Sequence, residues 1–483
     1  MEQTYYLSPS GDDTADGRTP ATAWRTLARL QAHAHAPGDT YLFQGGAIFT
    51  GALELYVGDP ENPITLASYG EGRATIASGG RRALWMLTPG GLHVHDLNLI
   101  GDGTAVANGI DWTNDGLAGN LRFERLTVRG YRGTALHLAT NPPGVSAISV
   151  EDCDLYDNAG GVGIGYGGDS VSRPCLGLVI RRNRIHHNNR VAEVGGIGIM
   201  LDNVRAATIE DNLIHNNGGG PAPGHAGMHL AWCSDLHIRR NEVWGQRDGI
   251  DPATGQSWGD GQAIALLGSL DCLIEQNYTH NNAGAGYQIM GELSDNWLGP
   301  MVACQNVTVR GNVSEDDGQG IVLKQEVWNA VFEHNTIFSR GENSIGILVT
   351  EWVGSAEFRG NLLLGEGGAI QVMVGAECLR GANSLQMVGN GYCTPQMGWL
   401  RIYFGGDGFA DVDSWRDTWG QEYEHTEFVG DPQLPAPGQL GTVGDFSRLL
   451  EEMAAAYKPG VGSPAAHLGA FALVPVGLRD STQ

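Results

Sequence analysis

The sequence predicts an all-β chain folded as a right-handed parallel β-helix, a solenoid of about eleven coils. Three observations predict this fold: a recurring phrase that ends in asparagine, a second phrase that begins with glycine, and the abundance of glycine itself. Of the 483 residues, 73 are glycine. That share is roughly twice the usual one and has no Gly-X-Y period, so collagen is excluded. Glycine spread through a folded chain indicates many sharp bends or close backbone approaches.

The first phrase is a short run of alternating apolar residues, two polar residues and an asparagine. It appears as LVIRRN, ATIEDN, LHIRRN, CLIEQN, VTVRGN, AVFEHN, AEFRGN and LQMVGN. The asparagines are Asn183, Asn212, Asn241, Asn277, Asn312, Asn335, Asn361 and Asn390. Repeats spaced 23 to 36 residues apart are typical of solenoids. We expect these asparagines to stack at one corner, each bonding the backbone of the next coil and tolerating a left-handed backbone.

The second phrase is a glycine followed by alternating apolar residues. It appears as GIGIML, GMHLAW, GYQIMG, GIVLKQ and GILVTE. Period-two alternation predicts strands with one buried face. No helices of 10–15 residues separate these strands, so doubly wound and TIM-barrel folds are disfavoured, and the repeats are too short for propeller blades. The remaining fold is a solenoid in which each coil adds one strand to each of two or three parallel sheets.

A solenoid needs covered ends, and both ends of the chain depart from the repeat. Residues 23–34 predict a capping helix with Trp24, Leu27 and Leu30 on one face. We therefore expect a β-helix over 1–405 that includes this cap. Residues 406–483 are expected to form an irregular tail packed on the β-helix, with a helix over 446–457.

Composition excludes several classes of protein. The net charge of −25 disfavours nucleic-acid and anionic-membrane binding, because both need a basic surface. The seven cysteines have no CxxC pair and an odd count, which predicts buried thiols. The sequence has no apolar run of about 18 residues, so it predicts no membrane-spanning helix. We expect a monomeric protein, secreted or periplasmic, although no signal peptide opens the chain.

Several segments resemble bacterial right-handed parallel β-helix proteins of the pectate-lyase-like superfamily. They are YYLSPSGDDTADGRTPATAWRTLARL, PGDTYLFQGGAIFTGAL and NPITLASYGEG near the start, and GSPAAHLGA near the end. With the coils between them, the resemblance covers nearly the whole chain. It implies the fold and an enzyme acting on polysaccharides. The superfamily includes lyases, glycoside hydrolases, C5-epimerases and phage spikes, and fold alone does not choose among them.

The catalytic patterns of these families match too poorly for any residue to be transferred. RDGIDP and GDGQAI echo two polygalacturonase motifs, but they are not one coil apart, and GAGYQI replaces the histidine motif. Asp251 and Pro252 are followed by Ala253, where alginate epimerases have histidine. Lys324 is a candidate base for a calcium-dependent lyase, but its flanking residues do not match that family.

Aligning the glycine-led strands coil by coil predicts which side chains point outward. In this register His229, Gln288, Lys324 and Glu326 are outward, and Glu292 occupies the position of Glu326 in the preceding coil. Because parallel strands lie about 4.8 Å apart, we expect these two carboxyls about 5–6 Å apart, as in retaining glycosidases. Two close carboxylates also raise one pKa. The alternative is a solvated acidic edge, with Lys324 and His229 as ordinary surface residues.

Aromatic and acidic residues accompany these strands. Trp232, Trp258, Trp297, Trp328 and Trp352 follow successive coils, and insertions at 245–260 and 291–305 lie on the same side of the repeat. Flat aromatic rings suit stacking on sugars, although each tryptophan could equally serve core packing. The further candidates for substrate contact are Asp248, Asp251 and Asp260 in the first insertion and Glu351 one coil after Glu326. The aspartates are alternatively turn formers.

We therefore expect an exported carbohydrate-active enzyme with its groove along the glycine-led strands, around residues 196–352. The first interpretation is a glycoside hydrolase of a polysaccharide or oligosaccharide, with Glu326 and Glu292 as acid and nucleophile, Asp260 in reserve, and no cofactor or metal. The second is a cation-dependent polysaccharide lyase with Lys324 as base and calcium held by carboxylates. The third is a non-catalytic glycan-binding β-helix.

Overall fold

The computed structural model describes residues 2–114, 118–140, 145–166, 175–189, 196–293, 299–379, 384–394 and 399–472. These residues form two compact units. The first unit comprises residues up to Leu236 together with Gln246–Gly261. The second comprises His237–Gly245, Gln262–Leu293 and residues from Pro300 onward. Each unit contains strands of three sheets, called here the first, second and third sheet.

In the first unit the strands of all three sheets run in parallel. The first sheet consists of Thr4–Leu7, Thr40–Gln44, Ile64–Tyr69, Gly90–His95, Ala118–Glu124, Val145–Glu151, Cys175–Arg181 and Val204–Glu210. The second sheet consists of Leu53–Leu55, Leu84–Met86, Ile110–Asn114, Thr134–Thr140, Gly160–Tyr166, Ile197–Asp202 and Ala226–Ala231. The third sheet consists of Ile48–Thr50, Ala74–Gly79, Leu97–Gly101, Thr127–Arg129, Asp154–Tyr156, Arg184–His186 and Leu213–His215.

The second unit repeats this arrangement, except that Asp407–Phe409 pairs antiparallel with Ile402–Phe404. Its first sheet consists of His237–Arg239, Leu273–Glu275, Thr308–Arg310, Ala330–Glu333, Ser355–Arg359 and Ser384–Val388. Its second sheet consists of Gln262–Leu267, Ala285–Met290, Gln319–Lys324, Ile345–Val349, Ile370–Val374, Ile402–Phe404 and Asp407–Phe409. Its third sheet consists of Glu242–Trp244, Tyr278–His280, Val313–Glu315, Thr336–Arg340, Leu362–Glu366, Gly391–Cys393 and Phe428–Val429. Two small sheets pair Glu292–Leu293 with Met301–Val302, and Cys304–Gln305 with Val327–Trp328.

Each coil passes through the second, first and third sheets in turn, and its inward side chains are apolar. This arrangement confirms the predicted right-handed parallel β-helix. The expected number of about eleven coils is too low, because each sheet of each unit has six to eight strands among the described residues. The alternating phrase without asparagine also marks three earlier coils, at LHVHDL, LRFERL and ISVEDC, but the coils of Thr40–Gln44 and Ile64–Tyr69 were overlooked because they lack the phrase altogether.

The predicted asparagine ladder is present in both units. Asn183 donates through its backbone N–H and Nδ2 to Oδ1 of Asn212, and its Nδ2 also donates to the carbonyl of Val150 in the preceding coil. In the second unit the same pattern runs from Asn241 to Asn390. The left-handed backbone lies one residue earlier than expected, for example at Arg182 with a φ of 55°. The asparagine itself therefore satisfies backbone groups rather than forming the bend.

A second ladder occupies the next corner, where the sequence has its Asn-Asn pairs. In the first unit it comprises Asn158, Asn188, Asn217 and Gln246. In the second unit Asn282 donates to Oδ1 of Asp317, so one position of this ladder is a carboxyl group. Oδ2 of Asp317 accepts from the hydroxyls of Thr279 at 2.6 Å and Ser314 at 2.7 Å. Burial, opposed by these hydrogen bonds, raises the pKa of Asp317 to about 6.

The Asp317→Asn variant should be more stable than the native chain at neutral and alkaline pH. Because the pKa of Asp317 is raised in the folded state, ionising this side chain above about pH 6 costs stability. Asparagine removes that cost and matches the other ladder positions. We expect a gain of roughly 1–3 kcal/mol in the free energy of unfolding near pH 8 that disappears as the pH falls towards 4. Urea unfolding of both proteins near pH 8 and near pH 4 measures this gain. A variant less stable than the native chain near pH 8 would contradict the prediction.

Helices lie within both predicted segments, 23–34 and 446–457, and both are shorter than predicted. Helix α1 spans Leu27–Gln31, because Thr26 caps it by accepting from the N–H of Arg29 and because Trp24 forms a β-bridge with Leu7. The tail contains helix α2, Val412–Trp419, and helix α3, Leu449–Tyr457. Short 3-10 helices span Pro20–Thr22 and Ala376–Leu379.

The tail of the second unit packs on the outward side of that unit's third sheet. Tyr278, Val313, Phe338 and Leu362 form one buried cluster with Leu449, Met453, Tyr457 and Leu468. The carboxylate of Glu242 accepts from the backbone N–H groups of Val443 and Gly444, each at 2.7 Å. All seven cysteines are buried free thiols, as expected. No helix of the described residues is long and apolar enough to cross a membrane.

Candidate functional site

The outward side of the second sheet in the first unit carries a continuous column of residues. The strand register aligns Glu54, Trp85, Asp111, His137, Gly163, Met200 and His229. Alternation explains their direction: Leu136 and Leu138 on either side of His137 are buried, so its imidazole points away from the core. The glycine-led strands of this unit therefore present ionisable groups on one face.

Asp111 and His137 form a hydrogen-bonded pair on adjacent strands. Nδ1 of His137 lies 2.9 Å from Oδ1 of Asp111, and Arg82 forms an ion pair with the other carboxylate oxygen. Burial acts to raise the pKa of Asp111, but the hydrogen bond and charges of His137 and Arg82 outweigh it, so that pKa is lowered. An ionised Asp111 accepts a hydrogen bond from Nδ1–H of His137, which leaves the Nε2 lone pair of that ring available. The imidazole is 43% exposed, so Nε2 can reach a ligand.

The next strand, Gly160–Tyr166, leaves the outward face bare. Gly163 and Gly165 occupy its two outward positions, and neither has a positive φ. A Cβ placed on Gly163 would lie 3.5 Å from Thr134 and 3.9 Å from His137, which are ordinary contacts. The backbone therefore does not require glycine at this position. Glycine inside a strand is typical of places where a ligand approaches the backbone closely.

Asp202 borders the bare strand from the opposite side. It aligns with Gly165, and a Cβ on that glycine would lie 3.4 Å from the Oδ2 atom of Asp202. The side chain is partly exposed, but protein surrounds it on most sides. This burial raises the pKa of Asp202 to about 7. Near neutral pH the group can therefore donate a proton, which an ordinary aspartate cannot.

His229 ends the column, on the strand after Asp202. Burial lowers the pKa of His229 to about 4, so the imidazole is neutral at pH 7. At the other end, Glu54, Arg82 and Trp85 line a pocket of about 270 Å³, with the Arg82 guanidinium 5.1 Å from the centre of the Trp85 ring. The column thus joins an aromatic pocket to a set of proton-transfer groups.

The aspartates of the first insertion bind backbone of their own unit. Asp260 accepts from the N–H of Gly224 at 2.6 Å, and Asp248 accepts from the N–H of Asp260 at 3.0 Å. Asp251 accepts from the N–H of Ala253 at 2.8 Å, which is the bond of an Asx turn. These contacts favour the turn-forming interpretation, while a role in binding substrate stays a prediction.

Two of the predicted tryptophans lie in the first unit. Trp258 is 40% exposed, and its indole N–H donates to the carbonyl of Pro221. Trp232 is only 4% exposed and has a left-handed backbone. Trp258 is therefore available for stacking on a ligand, whereas Trp232 contributes to packing. Trp297 lies outside the described residues.

The remaining predicted site residues belong to the second unit. Gln288 and Lys324 point outward from neighbouring strands, in the pairs Gln288 with Val322 and Met290 with Lys324. Gln288 is 7% exposed and Lys324 is partly exposed. Within the part of the chain that the structure describes, no carboxylate forms an ion pair with Lys324. Its ammonium group is thus available to a ligand.

Glu292 and Glu326 both lie beyond the ends of their strands. The first of these strands ends at Met290, and Glu292 then enters an antiparallel pair with Val302, where its carboxylate accepts from the N–H of Leu293. Glu326 has a φ of 48°, a left-handed value, and its carboxylate accepts from the indole of Trp328 at 3.4 Å. The 5–6 Å separation expected from strand register stays a prediction.

Trp328 and Trp352 meet edge to face, with ring centres 5.2 Å apart. Trp328 is partly exposed and Glu351 is fully exposed. Glu326, Trp328 and Trp352 therefore form a local cluster in the second unit. Their combination of a carboxylate with indole rings is the aromatic and acidic pairing that the sequence predicts.

Sequence reasoning missed Asp111 and His137, and it did not select Asp202. The register was started at Gly196, so strands earlier in the chain were not aligned. The signal was nevertheless present, because IDWT and ALHLAT alternate in the same way as GMHLAW. Extending the alignment two coils earlier would have placed His137 in the same outward column as His229.

Comparisons with known proteins agree with this architecture. A family model described as "Right handed beta helix region" matches residues 105–258 and 254–363, more than half of the chain. A lacto-N-biosidase of family GH136 from Eubacterium ramulus is 16% identical, covering 73% of this chain and 67% of that one, with a TM-score of 0.41. An alginate lyase from Paenibacillus sp. str. FPU-7 is 17% identical, covering 68% and 97%, with a TM-score of 0.39.

A third similar structure is the pectate lyase Pel9A, 16% identical over 72% of this chain and 77% of that one, with a TM-score of 0.38. Likenesses this weak carry no statement about activity. A search of curated proteins finds no significant match. Any assignment of function therefore depends on the side chains of this chain.

Proposed function

Since this chain belongs to the family of right-handed β-helix proteins, we propose that it is an exported carbohydrate-active enzyme that hydrolyses a glycosidic bond over the strand Gly160–Tyr166. One observation carries the proposal. A carboxylate-held imidazole and a carboxyl group with a raised pKa border the same strand, which has no outward side chains. A sugar ring lying on Gly163 and Gly165 would have His137 on one side and Asp202 on the other.

Asp202 is the proposed general acid. Departure of a sugar alcohol from the anomeric carbon requires a proton on the glycosidic oxygen, and a carboxyl group with a pKa near 7 can supply it at neutral pH. No cation is needed for this step. Asp202 then carries a negative charge until it takes a proton back from solvent.

His137 is the proposed general base. Its Nδ1 is held by Asp111, so Nε2 can accept a proton from water as the water attacks the anomeric carbon. Asp111 orients the ring and stabilises the imidazolium that forms, and Arg82 holds Asp111. His137 and Asp202 lie on the two strands that flank the bare strand. These flanking strands are about 10 Å apart.

That separation supports an inverting hydrolysis. Inverting glycosidases keep the acid and base about 6.5–9.5 Å apart so that water fits beside the sugar, whereas retaining enzymes need about 5 Å. A neutral sugar chain is the better substrate class, because the net charge of −25 repels a polyanion. The Trp85 pocket, further along the column, offers a stacking platform for a neighbouring sugar.

A large side chain at Gly163 should block substrate binding without removing a catalytic group. The Gly163→Leu side chain would start from a site with ordinary contacts and extend over the face. We expect KM to rise at least about tenfold, equivalent to roughly 1.4 kcal/mol of binding, with a smaller change in kcat. The matched control is Gly462→Leu, at an exposed glycine with open space around it. An unchanged KM in Gly163→Leu would contradict the placement of the substrate.

One observation favours the lyase alternative. Lys324 has no ion-pair partner among the described residues, so in its neutral amine form it could take the C5 proton of a uronate and become an ammonium group. The sequence-predicted hydrolase residues, Glu326 and Glu292 with Asp260 in reserve, remain a separate proposal. Calcium dependence belongs to the lyase alternative alone.

A polysaccharide panel tests the proposed reaction. The purified chain is incubated with neutral glucans, xylans and galactans and with alginate and pectate, with and without a chelator. Hydrolysis releases reducing ends without new ultraviolet absorbance, and the chelator does not affect it. Unsaturated products that absorb in the ultraviolet would overturn hydrolysis in favour of elimination. Binding without any cleavage across the panel would support a glycan-binding protein instead.

A further inference from the structure

Three imidazoles meet on the outward side of the third sheet in the first unit. His186 ends the strand Arg184–His186, His187 follows it, and His215 aligns with His186 on the next strand. One ring nitrogen of each can be chosen so that all three lie within 4.8 Å of one another. These residues belong to the His-Asn turn phrases IHHNN and IHNN, which the asparagine ladder explains only in part.

The Nδ1 atoms of His186 and His187 face each other, whereas Nδ1 of His215 lies 3.1 Å from Nδ2 of Asn216. Nδ1 of His186 and Nδ1 of His187 are 2.8 Å apart, so a single proton lies between them. Nε2 of His186 is 3.1 Å from the carboxylate of Asp154, which can only accept, so that nitrogen carries a proton. Neutral His186 therefore has its lone pair on Nδ1. The proton shared with His187 occupies the place where a cation could bind.

The surroundings of His186 are those of a metal ligand. A histidine that binds a metal through one nitrogen commonly donates its other N–H to a carboxylate, which fixes the ring. Asp154 supplies that carboxylate. Tyr156 stacks on the same ring with centres 5.0 Å apart, and His215 stacks on its other side at 4.7 Å. The ring is thus held in place before any ion arrives.

We propose that His186, His187 and His215 bind one transition-metal ion, of which Zn²⁺ is the best candidate. Metal–nitrogen distances of about 2.0–2.1 Å in tetrahedral geometry place two ligand nitrogens about 3.3 Å apart. The 2.8 Å contact therefore has to open by about half an ångström, and the His215 ring has to tilt out of its parallel stack. Imidazole ligands select Zn²⁺, Ni²⁺, Cu²⁺ and Co²⁺ over Ca²⁺ and Mg²⁺. The site is separate from the proposed glycosidase residues and does not depend on that function.

Co²⁺ titration of the untagged full chain tests the proposal. We expect a saturable visible absorption of the bound ion at one equivalent, displaced by Zn²⁺ and not by Ca²⁺, and a higher Tm with Zn²⁺. His187→Gln and His215→Gln should each weaken binding at least tenfold and abolish the Tm increase. His237→Gln is the matched control, because this surface histidine also hydrogen-bonds a carboxylate, at 2.7 Å from Glu275.

Two outcomes would overturn the site. One is the absence of saturable Co²⁺ or Zn²⁺ binding to the native chain. The other is binding that His187→Gln and His215→Gln leave unchanged, which would assign the ion to other residues and leave these histidines as a stacking ladder only. Because His187 is exposed and lies outside a strand, its variant should fold, as the unfolding transition without metal checks.

Discussion

Asp202→Asn should lower the rate of hydrolysis at least ~10²-fold, the low end of the contribution of a general acid. Asparagine keeps the shape of the side chain but has no transferable proton. The substitution should not unfold the protein, because the raised pKa of Asp202 means that its ionised form costs stability above about pH 7. The variant should therefore be at least as stable as the native chain at pH 8. Initial rates on the best substrate of the panel, with urea unfolding, measure both effects.

The pH profile provides an independent check on the same residue. Because the acid must be protonated, native activity should fall as the pH rises through about 7. The residual activity of Asp202→Asn should lose this dependence. Glu326→Gln makes the same carboxyl-to-amide change in the second unit and serves as the matched control. Full activity in Asp202→Asn combined with loss in Glu326→Gln would move the chemistry to the sequence-predicted set.

Asn312→Ala should destabilise the protein by about 3–5 kcal/mol, because three buried polar groups lose partners worth roughly 1–3 kcal/mol each. Nδ2 of Asn312 donates to the carbonyl of Ile274, and its Oδ1 accepts from the N–H and Nδ2 of Asn277. An alanine side chain offers no hydrogen-bond partner to any of these three groups. Denaturant unfolding measures the loss.

The control for this ladder variant is Asn343→Ala, at an exposed asparagine outside the ladder. Its expected change is within about 0.5 kcal/mol, as for other surface substitutions. If Asn312→Ala proved as mild as Asn343→Ala, water or a local shift would have to satisfy the freed groups. The asparagine ladder would then be a consequence of the fold rather than a cause of its stability.

The fold was predictable because its signals repeat. Each ladder asparagine has the same chemical task at the same corner, so the eight copies of the phrase reinforce one another. The coils of Thr40–Gln44 and Ile64–Tyr69 gave no such signal, and the coil number was underestimated. The left-handed residue before each asparagine varies between arginine, aspartate, glutamine, histidine and glycine, so it could not be found from residue type.

The candidate site was only partly predictable, since alternation gives the direction of a side chain but not its neighbours. The outward positions of His229, Gln288 and Lys324 followed from period two and agree with the strand register. The bonds of Asp111 to His137 and to Arg82 join residues 26 and 29 positions apart and have no local signature. The alignment did not hold as far as Glu326. The left-handed residues Gln325 and Glu326 end the strand after Lys324, so the register no longer fixes the position of that carboxylate.

The stereochemistry of hydrolysis tests the central claim most directly. The first-formed anomer is followed by proton NMR in D₂O, before mutarotation mixes the products. His137 and Asp202 lie on the two strands that flank Gly160–Tyr166 and are offset by two residues along them, so their Cα atoms are roughly 12 Å apart. Side chains that reach from these positions towards a sugar between them predict inversion at the anomeric carbon. Retention would contradict the account, because it requires a carboxylate nucleophile about 5 Å from the acid, which the Glu292 and Glu326 pair would supply instead.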